Sequence, residues 1–131
     1  MKNAWFLLFL LGALSSCQAQ QGGKGNAAGA APVSVLSVPE FKKVITDKNI
    51  QLVDVRTPEE YAQGHIDGAL NINVNSGDFS ALIGKQLDKN KPVAVYCRSG
   101  VRSQTASGVL KDLGFKKIYD LKGGFIAWSM Q

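Results

Sequence analysis

The chain has 131 residues, of which 45% are hydrophobic and 19% are charged, and this length allows one domain but excludes a multidomain enzyme. Its two cysteines, Cys17 and Cys97, cannot build a disulfide-rich scaffold, and with His65 as the single histidine they make a poor zinc set, so we expect no metal and no other cofactor. The net charge of +5 comes from scattered basic residues without a long basic run, which excludes nucleic acid as an expected partner and suits anionic small substrates or an anionic membrane surface.

Residues 1–16 have the features of an export signal. Lys2 gives a positive start, and residues 4–14 form an apolar run that is short for a membrane span but suits the hydrophobic region of a signal. The run ends in Leu-Ser-Ser before Cys17, which resembles the lipobox of bacterial lipoproteins, where the signal is cleaved before an acylated cysteine. The alternative is an ordinary cleaved signal with Cys17 nearby by chance. We expect a lipid on Cys17 and a protein exported to the bacterial cell envelope, anchored to a membrane and facing the periplasm.

Residues 17–32 predict a flexible tether, because Gly, Ala and Gln dominate them without apolar periodicity. Residues 33–131 then alternate strand-like and helix-like segments. The predicted strands are 34–36, 51–55, 69–72, 92–96 and 118–119. The first three predicted helices are a capped helix from Ser37 to about 46, a short helix from Pro58 that ends at Gly64, and a weak helix over 79–87. A fourth helix ends at Gly114 and carries the apolar stripe Ala106, Val109, Leu110 and Leu113, and a last helical turn or two covers 124–129. This alternation predicts a three-layer α/β domain with a mostly parallel central sheet flanked by helices.

Cys97 directly follows the strand over 92–96, whose continuous apolar run predicts a central strand buried on both faces. Ligands of open α/β sheets bind at the carboxyl ends of strands, and a strand-to-helix loop gathers N–H groups and the positive end of a helix dipole. We therefore expect a standing thiolate at Cys97. Arg98 and Arg102 add positive charge that no carboxylate of the loop opposes, and two arginines and a glycine within five residues argue against a buried structural cysteine.

The domain resembles a single-domain rhodanese over three separate stretches. These are DVRTPEEY at 54–61 followed by GHIDGALNI at 64–72, the loop CRSGVR at 97–102, and LGF at 113–115 leading through LKGG at 121–124 to Ala127 and Trp128. The resemblance implies a sulfurtransferase with the rhodanese fold. A sulfane sulfur would pass from a small anionic donor such as thiosulfate to Cys97, and from the resulting persulfide to a thiol or cyanide acceptor, which includes a protein thiol.

The resemblance also implies roles for residues around Cys97. The substrate loop comprises Arg98, Ser99, Gly100, Val101 and Arg102, whose N–H groups would cradle the transferred sulfur and whose two arginines would attract the donor. Ser99 stands where the two-domain thiosulfate:cyanide enzymes carry a lysine, which puts efficient use of thiosulfate in doubt. Asp54 and Arg56 lie at the end of a predicted strand on the active face, where we expect a buried ion pair that shapes the loop rather than direct catalysis.

Three further residue groups receive structural interpretations. His65 lies in the first motif of the family and is expected to be structural. Glu59 and Glu60 are interpreted as helix N-terminal acids and nothing more. Gly123 and Gly124 predict a tight turn before the last helix.

Two alternatives remain open. One is a tethered sulfur carrier or thiol-redox module that acts on a protein partner through the same Cys97. The other is a phosphatase or arsenate reductase, but cysteine-dependent phosphatases place one residue more between cysteine and arginine than the four that separate Cys97 from Arg102.

Thiolate attack on a sulfane sulfur needs no general base because sulfite is a good leaving group, and the sequence offers none near Cys97.

Overall fold

Parallel pairing joins five strands into one sheet in the computed structural model, which describes residues 32–131. The strands are β1 (Val33–Leu36), β2 (Gln51–Asp54), β3 (Leu70–Asn71), β4 (Val93–Tyr96) and β5 (Ile118–Leu121), and their order across the sheet is β1-β5-β4-β2-β3. The helices are α1 (Val38–Val44), α2 (Pro58–Gln63), α3 (Phe79–Gln86), α4 (Arg102–Asp112) and α5 (Gly124–Ser129). The predicted α/β architecture with its parallel sheet is confirmed.

The predicted signal, Cys17 and the tether up to residue 31 lie outside the described residues, so these interpretations stay predictions. Within residues 32–131, no helix is long and apolar enough to cross a membrane.

Capping boxes start two of the helices. The Ser37 side chain caps α1 and accepts from the N–H of Glu40. In return, the Glu40 carboxylate accepts from the Ser37 N–H at 2.9 Å. Thr57 and Glu60 make the same reciprocal pair at the start of α2. Each box satisfies N–H groups that the first turn of a helix would otherwise leave unpaired, so α1 begins where the sequence predicts.

Side chains of strand β4 belong to the hydrophobic core on both faces of the sheet. Its four residues are fully buried, and because side chains alternate along a strand, Val93 and Val95 pack with α3 and α4 while Ala94 and Tyr96 pack with α1 and α5. Cys97 continues this alternation onto the α4 face. The end of β4 therefore delivers the cysteine beneath the first turn of α4.

The buried face of α4 differs from the predicted stripe. Ala106 and Leu110 are buried, but Leu113 is exposed, and the residues that complete the buried face are Ser103 and Ser107. A pattern of apolar residues alone could not find a buried face that is half serine.

Strand β5 is longer than predicted and contains a buried carboxyl group. The sequence indicates a strand at Ile118 and Tyr119, and the structure extends it to Leu121 between β1 and β4. Asp120 interrupts the apolar run, yet its side chain is 97% buried. It pairs in register with Val95 of β4, which brings it to the α4 face.

Candidate active site

The thiol of Cys97 is buried, contrary to the sequence prediction. The residue is 1% exposed, whereas Arg98, Ser99 and Val101 of the following loop are exposed. The loop turns its backbone inward over the sulfur and its side chains outward. Residue types alone do not show this direction, which is why two arginines beside Cys97 suggested an exposed sulfur.

Two groups of the loop and of α4 contact the sulfur. The N–H of Gly100 donates to Cys97 Sγ at 3.1 Å, and the left-handed φ of +102° at Gly100 turns this N–H toward the sulfur. The Ser103 hydroxyl lies 3.6 Å from Sγ and also 3.3 Å from the carbonyl oxygen of Gly100. A dipole and a hydroxyl are thus held against the sulfur before any substrate arrives.

Helix α5 holds the loop from the other side. The N–H groups of Phe125 and Ile126 donate to the carbonyl oxygens of Cys97 and Arg98 at 2.8 and 3.0 Å. Gly124 permits this approach, since a Cβ there would lie 2.5 Å from the Arg98 oxygen and 2.7 Å from the Cys97 oxygen. The glycine pair therefore does more than turn the chain, because it lets α5 bond to the cysteine loop.

Asp54 and Arg56 form the buried ion pair that the sequence predicts. Arg56 Nη2 lies 2.6 Å from Asp54 Oδ2 and 2.7 Å from the carbonyl oxygen of Gly64, and its guanidinium covers the Phe125 ring at 4.4 Å. Burial acts to lower the pKa of Arg56, but the hydrogen bond and the charge of Asp54 raise it overall. The pair ties the end of β2 to the start of α5, and so supports the loop without contacting the sulfur.

Glu60 neutralises Arg102, which corrects two sequence interpretations. Both carboxylate oxygens of Glu60 accept from the Arg102 guanidinium, at 2.8 and 2.9 Å. The hydrogen bond from Arg102 lowers the pKa of Glu60 to about 2, with a further contribution from Thr57. The loop therefore does face a carboxylate, and Glu60 is more than a helix N-terminal acid. Glu60 lies 42 residues before Arg102, a separation at which the sequence gives no sign of the pair.

Arg98 supplies the remaining cationic side chain of the loop. It lines an open cavity of about 170 Å³ together with Arg56, Glu60, Gly64 and Phe125. Within residues 32–131, no carboxylate lies within salt-bridge distance of its guanidinium. Arg98 is thus available to an anion, while the charge of Arg102 is already occupied by Glu60.

Ser103 and Asp120 are polar groups near the sulfur that the sequence interpretation missed. Both are buried, and the hydroxyl of Ser103 lies 3.6 Å from Sγ. Burial raises the pKa of Asp120, and its interaction with the Ser103 hydroxyl offsets part of this rise. Two sequence features could have identified these groups: Ser103 follows the cysteine by six residues, and Asp120 interrupts an apolar strand.

His65 stands apart from the sulfur chemistry. Its Nδ1 lies 2.9 Å from the carbonyl oxygen of Tyr61, and its ring stacks on the Tyr61 ring with centroids 3.7 Å apart. This packing at the end of α2 agrees with a structural role. In the described part of the chain, His, Cys, Asp and Glu side chains form no cluster suited to a metal.

Comparisons with known proteins agree on one family. The rhodanese-like domain family matches residues 37–131. The thiosulfate sulfurtransferase GlpE of Shewanella oneidensis is 40% identical over 93 residues, which cover 71% of this chain and 89% of that protein. A sulfurtransferase of Allochromatium vinosum is 35% identical over 88 residues, covering 67% of this chain and 79% of that protein. The crystal structure of a rhodanese-like domain protein from Staphylococcus aureus superposes with a TM-score of 0.63 at 30% identity, covering 72% of this chain and 89% of that one.

Proposed function

This chain belongs to the rhodanese-like family, and from that premise we propose that it transfers a sulfane sulfur through a persulfide on Cys97. The proposed donor is a small anion such as thiosulfate, and the proposed acceptor is a thiol or cyanide. The observation that carries the proposal is the position of Cys97 Sγ at the carboxyl end of β4, within 3.1 Å of the Gly100 N–H. The kinship with sulfurtransferases supports the same reaction.

The first half-reaction forms the persulfide. The Cys97 thiolate attacks the outer sulfur of thiosulfate, a new S–S bond forms, the old S–S bond breaks, and sulfite leaves with its electron pair. Sulfite needs no proton to depart, so a general acid is not required. The N–H of Gly100 lies where it would stabilise negative charge on the sulfur during this exchange.

The second half-reaction returns the thiolate. A thiolate or cyanide attacks the outer sulfur of the persulfide, and Cys97 Sγ leaves with the electron pair of the broken S–S bond. Because the sulfur is 1% exposed, an acceptor must approach through the loop side, where the outer sulfur of the persulfide would project. The backbone N–H groups of residues 98–102 are the proposed cradle for that outer sulfur.

Electrostatics of the loop support an anionic donor and assign different roles to its two arginines. Arg98 lines the open cavity, has no carboxylate partner within residues 32–131, and is proposed to attract the donor. Arg102 is held by Glu60 and is proposed to position the loop instead. Ser99 supplies no charge of its own, so Arg98 would carry donor attraction without the lysine of the two-domain enzymes.

The same features argue against phosphate chemistry. Four residues between Cys97 and Arg102 make a ring of N–H groups that suits one sulfur atom better than a tetrahedral oxyanion. With a pKa of about 2, Glu60 is ionised near neutrality and so cannot protonate a departing alcohol.

Formation of thiocyanate from thiosulfate and cyanide tests the proposed function. Wild-type protein should consume thiosulfate, whereas Cys97→Ser should lose this activity and keep its fold, since a serine hydroxyl cannot form a persulfide. Lys111→Ala is the matched control, because it changes an exposed side chain in the last turn of α4 and leaves the sulfur and its loop in place. Thiocyanate formation retained in Cys97→Ser would overturn the assignment.

We also propose that a lipid on Cys17 anchors the domain to a membrane of the bacterial cell envelope, facing the periplasm. The support is the sequence alone: an apolar run ending in Leu-Ser-Ser before the cysteine. Residues 17–32, as a random coil, would hold the domain on the order of 20 Å from the anchor.

A further inference from the structure

Nine of the ten lysines in residues 32–131 lie at one edge of the sheet. Because all five strands are parallel, the segments that precede β2, β4 and β5 meet where the strands begin, at the amino edge. Each segment, with the helix turn that leads into it, carries three lysines: Lys42, Lys43 and Lys48 before β2, Lys85, Lys89 and Lys91 before β4, and Lys111, Lys116 and Lys117 before β5. The tenth, Lys122, follows β5 at the opposite, carboxyl edge. The fold thus gathers lysines that are scattered in the sequence.

Hydrogen bonds hold these three segments side by side. The side chain of Gln51, the first residue of β2, donates to the carbonyl oxygen of Asp88 at 2.8 Å and accepts from the Asp88 N–H at 2.7 Å. The N–H of Val93, the first residue of β4, donates to the carbonyl oxygen of Lys117 at 3.0 Å. The three segments lead into neighbouring strands, so their lysines form one surface and not three separate groups.

Most of these lysines have an unpaired charge. Lys42 lies over the Trp128 ring at 5.3 Å, and Lys117 Nζ donates to Ser34 Oγ at 3.0 Å. The other seven are exposed, and no carboxylate within residues 32–131 lies within salt-bridge distance of them. We call these seven residues the lysine surface.

Three carboxylates at the amino edge leave the lysine surface with a surplus of positive charge. They belong to Asp47, Asp88 and Asp112. Asp47 and Asp88 accept from the N–H groups of Asn49 and Asn90 at 2.8 and 2.9 Å, so they hold the turns of their own segments. Seven lysines against three carboxylates leave four positive charges in excess. Such an excess over one edge attracts an extended anionic partner.

The lysine surface is too far from the sulfur to serve the donor. Strand β4 lies between the segment that ends at Pro92 and Cys97, and at about 3.3 Å per residue its four residues span about 13 Å. Charges in salt solution act over about 8 Å at physiological ionic strength. Attraction of a small anion to Cys97 therefore does not account for the lysine surface.

We propose that the lysine surface binds the anionic headgroups of a membrane, with Cys97 facing away from the bilayer. The chain enters the fold at the same amino edge, where the carbonyl oxygen of Pro32 accepts from the N–H of Ile118 at 2.7 Å. A lipid on Cys17 would therefore bring this edge, and not the cysteine loop, toward the bilayer. The choice of a membrane over other polyanions rests on the proposed anchor, whereas the proposed sulfur transfer plays no part in it.

Partition of the full chain onto lipid vesicles tests the proposal. Cys17→Ala serves as the parent protein, because it lacks the attachment point of the proposed lipid. Vesicles of phosphatidylglycerol mixed equally with phosphatidylcholine should bind the parent more tightly than vesicles of phosphatidylcholine alone, and the difference should shrink as salt is added. Replacing Lys48, Lys89, Lys91 and Lys116 together by glutamine should weaken binding to the anionic vesicles by roughly a hundredfold or more, since each lysine near such a surface contributes about fivefold.

Matched variants separate the lysine surface from a general effect of charge or folding. Lys91→Gln should lose about fivefold in binding, whereas Lys122→Gln, an exposed change at the carboxyl edge, should bind like the parent. Replacing the same four lysines by arginine keeps the charge and should keep the binding.

Equal partition of the parent and the fourfold glutamine variant would overturn the proposal. Tighter binding of the parent to single-stranded RNA than to anionic vesicles would overturn a membrane as the partner. A wild type that carries no lipid on Cys17 would instead overturn the proposed anchor, and it would leave the measured difference between these variants unchanged.

Discussion

Replacing Gly124 by alanine tests how α5 controls the cysteine loop. Gly124 has a φ of +61°, where alanine costs about 1 kcal/mol relative to glycine. The added Cβ would lie 2.5 Å from the Arg98 carbonyl oxygen and 2.7 Å from that of Cys97, so the loop and the helix must separate. Separation breaks the two hydrogen bonds from Phe125 and Ile126, at about 1 kcal/mol each. We expect a loss of about 3 kcal/mol in the free energy of unfolding.

Two other glycines provide matched controls for this measurement by urea unfolding. Gly68 also has a positive φ, +85°, but a Cβ there meets nothing within 4 Å, so Gly68→Ala should lose about 1 kcal/mol. Gly108 lies inside α4 with open space around it, and Gly108→Ala should gain about 0.5–1 kcal/mol. Persulfide formation should fall in Gly124→Ala and persist in the controls. A Gly124→Ala variant that loses no more stability than Gly68→Ala would refute the contact argument.

Three further predictions address the ion pairs, the donor and the anchor. The Glu60–Arg102 pair lowers the pKa of Glu60 from 4.5 to about 2, so the stabilisation by this pair should be present above pH 4.5 and disappear as the pH falls toward 2. Near neutrality, the free energy of unfolding of wild type should exceed that of Glu60→Gln by about 1 kcal/mol. A difference that persists at pH 2 would contradict the ion pair as its cause. Arg98→Ala should raise the KM for thiosulfate roughly tenfold with a smaller change in kcat and a weaker salt dependence, while the exposed control Lys111→Ala should resemble wild type; equal salt dependence in both would remove Arg98 from donor attraction. Full-length protein made in a bacterium should partition with membranes, and Cys17→Ala should release it or block processing; a fully soluble wild type with unmodified Cys17 would refute the anchor.

The sequence was sufficient for the fold because local signals and the pattern of apolar residues agree. The apolar run before Cys97 predicts a buried central strand, and the spacing of Ser37 and Glu40 predicts the start of α1. Both features depend on residues close together in the chain. Ligands of a parallel sheet bind at the carboxyl ends of its strands, so the fold class was enough to place Cys97 at the ligand-binding edge.

The remaining parts of the site depend on pairs that are distant in sequence. Glu60 and Arg102 are 42 residues apart, and nothing near Glu60 indicates that its carboxylate reaches the loop. Ser103 and Asp120 are polar residues on a buried helix face and in a central strand, where patterns of hydrophobicity predict apolar side chains. The burial of Cys97 depends on which way the loop backbone turns, and this is set by Gly100 and by the contact with α5.

The mass of the Cys97 peptide after incubation with thiosulfate tests the central claim most directly. We predict a gain of one sulfur atom on Cys97, lost when cyanide or a thiol is added, with sulfite released in equal amount during loading. The gain should be absent when the protein is first alkylated at Cys97. A protein that turns over thiosulfate while Cys97 carries no added sulfur, or that places the sulfur on another residue, would contradict the account.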